Sequence, residues 1–331
     1  MRHIILISCS MLLLMSFISV NDEYFPEPTY PIADSDSPIV VLGRELFHDP
    51  ILSKDSTISC NSCHSQYNAF SHSDHALSHG IADRIGIRNA PALINLAWSE
   101  SFMWDGASFS LEAQVLTPLT AHHEMDNSLD TILRRLNNQT KYSNMVQQAF
   151  GESPIQTKHV IKAIADFEST LISRNSRYDS MRLNLVEFNE QEQKGYTLFK
   201  QHCNRCHAEP LFTTGQFANN ALPIDTSLND LGRFRFTHDS NHIRHFKIPT
   251  LRNLLYSFPY MHDGRFKRLR DVLKHYAEGI NMHDKTRSIN NPIPLNSNDI
   301  TDLIAFLHAL TDRTFIFNPA FSHIQNPQRN R

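Results

Sequence analysis

The chain has 331 residues, with 34 acidic against 31 basic side chains and a formal net charge of −3, so no basic excess points to nucleic acid. That length exceeds what one hydrophobic core usually fills, which makes two domains the expectation. Residues 1–20 open on Arg2 and His3 and run on through Leu12, Leu13, Leu14 and Phe17, the pattern of a secretory signal peptide without a clean cleavage point. Leu6-Ile7-Ser8-Cys9 resembles a lipoprotein box only faintly, because the apolar run before Cys9 is too short. No later segment is apolar for long enough to cross a membrane, so the mature chain is expected to carry no integral span, an uncleaved anchor being the alternative.

Leu46-Phe47 belongs to an expected helix leading into Cys60-Asn61-Ser62-Cys63-His64. A helical pattern follows from about Leu129 to Phe150, and Thr157 caps a further helix whose Val160, Ile161, Ile164, Phe167 and Leu171 recur at three and four. Leu198-Phe199 leads in the same way into Cys203-Asn204-Arg205-Cys206-His207. Ser297 opens a further helix with Ile300, Leu303, Ile304, Leu307 and Leu310 on one face. Sustained period-two alternation is lacking, and the loops carry the Pro, Gly and Asn, as in Asn290-Asn291-Pro292-Ile293-Pro294. The expected fold is mostly α.

Cys-x-x-Cys-His is the pattern by which a chain attaches haem c. The two thiols form thioethers with the haem vinyl groups, and the histidine that follows ligates the iron, here His64 and His207. Cys60, Cys63, Cys203 and Cys206 account for four of the five cysteines, which leaves no pair for a structural disulfide. Zinc is the rival, but each motif supplies three ligands where a structural zinc site needs four. Two covalently bound haems c are therefore expected, and with the leader segment they place the protein in the periplasm.

Pro91-x-Leu93-x-Asn95-Leu96 returns as Pro249-x-Leu251-x-Asn253-Leu254, a shift of 158 residues, and the same shift takes Met103-Trp104-Asp105-Gly106 to Met261-His262-Asp263-Gly264 and Leu111 to Leu269. The haem motifs repeat at a shift of 143, so the second copy carries about fifteen further residues between haem motif and Pro-x-Leu-x-Asn segment. Two cytochrome c-like haem domains related by internal duplication follow, over residues 21–185 and 186–331.

With these motifs stand Arg88-Asn89-Ala90-Pro91, Phe102-Met103-Trp104-Asp105-Gly106, Gln114, Glu124-Met125, Phe246-Lys247-Ile248-Pro249-Thr250-Leu251-Arg252-Asn253 and Pro259-Tyr260-Met261-His262-Asp263-Gly264. Together they resemble the bacterial di-haem cytochrome c peroxidases and their MauG-type relatives over nearly the whole mature chain. The resemblance implies that the His64 haem reacts with peroxide and that the His207 haem feeds or shares oxidising equivalents. It matches Glu124 to a distal acid and base, a role that one carboxylate with a raised pKa could fill, and Gln114 to its neighbour, which orients peroxide. Trp104 matches the indole that couples the haems. The family usually has Arg after the Gly of this segment, whereas this chain has Ala107.

The sixth ligands separate the functions. Where many family peroxidases carry a methionine at the second haem, this chain aligns Tyr276, as MauG-type enzymes do; a phenolate is a hard ligand that favours oxidised iron. His275, Met282 and Met261 are the other candidates. His79, in Ser78-His79-Gly80, matches a displaceable ligand of the first haem, with His72 and His75 as competitors and an open iron as the MauG-type alternative. A calcium ion is a further implied cofactor, held by Asn89 and by the carbonyls of Ser257 and Pro259; without it, Asn89 caps a turn before Pro91. These features point to an exported peroxidase that reduces hydrogen peroxide to water with electrons from a small cytochrome c or cupredoxin. The alternatives are a MauG-like oxidase of Trp or Tyr in a protein substrate, and a di-haem electron carrier, against which Gln114 and Glu124 argue.

Overall fold

The computed structural model describes residues 24–323, so the leader segment and Cys9 lie outside the described residues. In chain order the helices are α1 Pro38–His48, α2 Cys60–Cys63, α3 Leu111–Thr120, α4 Leu129–Asn137, α5 Thr140–Phe150, α6 Thr157–Ser169, α7 Arg177–Arg182, α8 Glu190–His202, α9 Phe234–Thr237, α10 Leu269–Glu278, α11 Ser297–Ala309 and α12 Arg313–Ile316. Among the described residues the sheet is one short antiparallel pair, β1 Phe217–Ala218 with β2 Phe246–Lys247. The protein is mostly α, as its periodicity predicts.

Two local expectations are corrected. The pattern from Leu129 to Phe150 is two helices, because Asn137 ends the first: its Nδ2 donates to Ile155 O at 3.0 Å and its Oδ1 accepts from Ile155 N at 2.9 Å. The helix after it is capped by Gln156 rather than Thr157, with the Gln156 N–H donating to His159 Nδ1 at 3.1 Å.

Two helix pairs frame the molecule. The apolar face of α1, with Val40, Leu42, Leu46 and Phe47, packs on Val160, Ala163, Ile164 and Phe167 of α6. Tyr196 and Phe199 of α8 pack in the same way on Ile300, Leu303 and Phe306 of α11. Each pair closes over a glycine. A Cβ at Gly43 would lie 1.9 Å from Ala163 O, and one at Gly195 would lie 1.9 Å from Asp302 O. Gly195→Ala must therefore push α8 off α11, and an overpacking loss of about 1–3 kcal/mol is expected in urea denaturation of the haem-loaded protein. An unchanged midpoint would mean that the helices part without cost.

Buried apolar residues gather in two clusters. The first joins α1 and α3–α6 to Phe315, Ile316 and Phe321 of the C-terminal segment, which lies back against Phe70. The second is built on Tyr178, Phe199, Phe212, Leu269, Leu273 and α11. Between them, Asn95 and Asn253 adopt left-handed backbone, with φ of 55° and 61°. Asn95 exchanges two hydrogen bonds with the backbone of Ser173, at 3.0 and 2.8 Å. Asn253 donates to Ser173 Oγ at 3.0 Å and accepts from Asp312 N at 2.7 Å. The asparagines of the two Pro-x-Leu-x-Asn segments thus meet at one buried serine.

Candidate active site

Both Cys-x-x-Cys-His segments face one continuous cavity of about 1590 Å³, with Cys63, His64, Cys203, Cys206 and His207 in its wall. In each motif a short turn brings the histidine round, and a backbone carbonyl fixes the imidazole: His64 Nδ1 lies 2.9 Å from Phe70 O, and His207 Nδ1 lies 3.0 Å from Pro249 O. Donation from Nδ1–H sets the tautomer that leaves Nε2 free to ligate. Burial lowers both imidazole pKa values, that of His207 to about 4, so the neutral ligating form is favoured. The residues fit haem c at both motifs, with free thiols, oriented imidazoles and a wall that is largely apolar.

On the side of the first motif, α3 ends in the turn that carries Glu124. Glu124 lies in the cavity wall, close enough for its charge to weigh on Cys63, and burial raises its carboxyl pKa above the usual range. Gln114 comes from the body of α3 and also lines the cavity, and its Oε1 is buried without a partner. An unpartnered buried amide oxygen is costly, and a bound protic ligand would satisfy it.

Trp104 lines the cavity that the two motifs share. Its Nε1 donates to Asn89 O at 2.8 Å, and Asn89 N donates to His262 O at 2.7 Å, so the two Met-x-Asp-Gly segments are joined through Asn89. The Asn89 side chain is buried, with Nδ2 donating to Ala76 O at 2.9 Å, and Ser257 and Pro259 stand in the same cavity wall. Beside the first motif, His79 is absent from the cavity lining. Its ring stacks on His75 at 4.1 Å, and its Nδ1 lies 2.7 Å from Asp83 Oδ1. His72 and His75 are likewise absent from that lining, and their rings lie 5.3 Å apart.

On the side of the second motif, α10 presents Tyr276 to the cavity. The phenol is half-buried, and removal from water pushes its pKa up to about 12, against a smaller lowering by the Asn220 side chain. Of the other candidates, His275 Nε2 is engaged by Asn220 O at 3.0 Å, and Met282 is exposed. Met261 does line the cavity, and its sulfur accepts from Asn220 Nδ2 at 3.4 Å.

Residues 37–185 match the family model described as di-haem cytochrome c peroxidase. The chain is 36% identical over 283 residues to the methylamine utilization protein MauG of Methylorubrum extorquens, covering 82% of this chain and 77% of that one. It belongs to the di-haem cytochrome c peroxidase and MauG family. MauG of Methylophilus methylotrophus is 31% identical, over 93% of this chain and 95% of that one. The solved structure of a MauG-like protein associated with microbial copper homeostasis superposes with a TM-score of 0.83 at 30% identity, over 92% of this chain and 98% of that one. The family is one of oxidoreductases, and membership implies haem c as the cofactor.

In this family member, two features of the site are invisible to motif reading. A guanidinium reaches the turn before Ala107 from a distant segment: Arg233 donates from Nη1 to Asp105 O at 2.9 Å and lies 3.8 Å from the centroid of the Phe217 ring. Arg88 grips both Asp230 oxygens, at 2.7 and 2.9 Å, and Asp105 Oδ2 at 2.7 Å, which ties the Trp104 turn to the loop before α9. Neither partner is near in sequence, so no spacing could have announced them.

Proposed function

We propose that this chain is an exported di-haem enzyme that reduces hydrogen peroxide at the His64 motif and takes the electrons from Trp or Tyr side chains of a partner protein, as a MauG-type oxidase. The observation that carries the oxidase reading is Tyr276, a phenol in the cavity wall beside Cys203 and Cys206. Haem, when bound, supplies the iron at which peroxide is cleaved and the redox equivalents are held. Glu124 takes the proton from the near peroxide oxygen and returns it to the leaving one; its burial favours the uptake and Gln114 orients the oxygens. The position of His79 outside the cavity lining supports an open first site. Trp104 would couple the two motifs across their shared cavity, and Tyr276 would hold the second iron through a hard oxygen that favours the oxidised state.

Two haem domains related by duplication are part of this reading, supported by left-handed Met103 and Met261 at equivalent turns and by the parallel glycine-closed helix pairs. A calcium ion at Asn89 with the Ser257 and Pro259 carbonyls, and a periplasmic location after removal of residues 1–20, complete it. Among the described residues no helix is long and apolar enough to cross a membrane. The second reading, a peroxidase fed by a small cytochrome c or cupredoxin, is favoured by Met261, whose sulfur reaches the same cavity wall.

The test adds hydrogen peroxide to the purified di-haem protein, with and without ferrous cytochrome c, and compares it with Tyr276→Met. The oxidase reading expects peroxide to be consumed, a long-lived oxidised spectrum and slow cytochrome c oxidation, with Tyr276→Met changing the spectrum of one haem and shortening that lifetime. Fast cytochrome c turnover by the unmodified protein would establish the second reading instead. A spectrum unaltered by Tyr276→Met would remove Tyr276 from the iron.

A further inference from the structure

Lys247 is the second residue of β2, and its side chain enters the wall of the haem cavity. Its backbone is held by the Trp104 turn, with Lys247 N donating to Trp104 O at 2.7 Å. The ammonium donates to Ser99 Oγ at 3.2 Å and to Ser101 O, and it lies 5.5 Å from the centroid of the Phe102 ring. These partners are neutral. Among the described residues no carboxylate pairs with it, which sets it apart from Arg88, Arg244, Arg252 and Arg265, each of which is paired with an aspartate.

A half-buried ammonium that faces a cavity without an anion is unfavourable once that cavity is filled, because transfer from water is repaid only by a close opposite charge. Burial alone pushes the Lys247 pKa down to about 8, with no neighbouring charge to restore it. The polypeptide offers no counter-charge, while the cavity that Lys247 faces is the one the haems fill, and each haem carries two propionate carboxylates.

We propose that Lys247 is the counter-ion of a haem propionate at the junction of the two halves, so that the cofactor supplies the carboxylate the protein lacks there. Its alkyl stem runs from β2, two residues before the Pro249 carbonyl that orients His207, toward Ser99 and Ser101 beside the Trp104 turn. From that place one cation serves both cofactor retention and the potential of the haem whose propionate it meets. The proposal rests on the two-haem part of the reading above and not on the peroxide chemistry.

The test is spectroelectrochemical titration of both haems in the purified holoprotein, with Lys247→Met and Lys247→Arg, together with haem content per chain. Removing the cation leaves the propionate uncompensated and stabilises the oxidised haem, so Lys247→Met should lower one midpoint potential, and Lys247→Arg should bring it back toward the original value. The haem that moves is the one whose propionate is paired. Should Lys247→Met fail to load haem, loading restored by Lys247→Arg supports the same pairing, because charge and not shape is then what matters. Two unmoved potentials with both haems in place would overturn the proposal, as would equal loss of haem in the Arg and Met variants. None of these outcomes depends on peroxide turnover.

Discussion

Glu124→Gln should slow peroxide consumption by roughly 10²–10⁴-fold while both haems remain covalently bound, because the amide fills the same volume but cannot take and return a proton. The direction of the pH effect follows from burial. Glu124 must be ionised to accept the peroxide proton, and its pKa is raised by removal from water. Turnover should therefore fall as the pH drops through a value above the ordinary carboxylate range, and that acidic limb should vanish in Glu124→Gln. Stopped-flow rates across pH, with haem content checked by absorbance, read both effects. Wild-type rates in the Gln variant would show that the proton is handled elsewhere, and Gln114 would be the next residue to replace.

Arg252→Leu should cost about 3–5 kcal/mol of stability, the usual penalty for leaving a buried charge without its partner. Arg252 is fully buried, donating to both Asp179 oxygens at 2.9 and 2.7 Å and from Nη2 to Pro210 O at 2.8 Å, with the rings of Phe25 and Phe212 flanking it. The guanidinium fastens α7 to the loop that follows the second haem motif. Urea denaturation of the holoprotein reads the loss, and Arg252→Leu with Asp179→Leu should recover part of it, since an apolar pair leaves no orphaned charge. A single variant as stable as the parent would mean that Asp179 finds water or another donor.

Much of the chemistry was legible because it is local. Cys-x-x-Cys-His carries thiols and imidazole within one helical turn, so composition and spacing alone announce haem c, and the structure adds the carbonyls that hold each ring. Glu124, Gln114, Trp104 and Tyr276 were legible only through motif resemblance, since a glutamate or tyrosine taken alone is usually surface or core; the fold brings all four into one cavity with both motifs. The helix over 157–169 was readable from its apolar stripe, yet its cap and the break at Asn137 were not, because side-chain bonds to Ile155 and His159 decided them.

What the sequence determined by itself was the set of short-range features: two Cys-x-x-Cys-His motifs, a mostly helical chain and the repeated Pro-x-Leu-x-Asn and Asp-Gly segments. Only the tertiary structure decided how these meet. Asn95 and Asn253, 158 residues apart, share Ser173; Arg233 brings a guanidinium to the turn before Ala107; Lys247 lines the cavity without a carboxylate partner. The reason is physical. A backbone turn or a thiol pair acts over a few bonds, whereas buried charges and amides take whatever partners the packing brings, and those partners lie far along the chain.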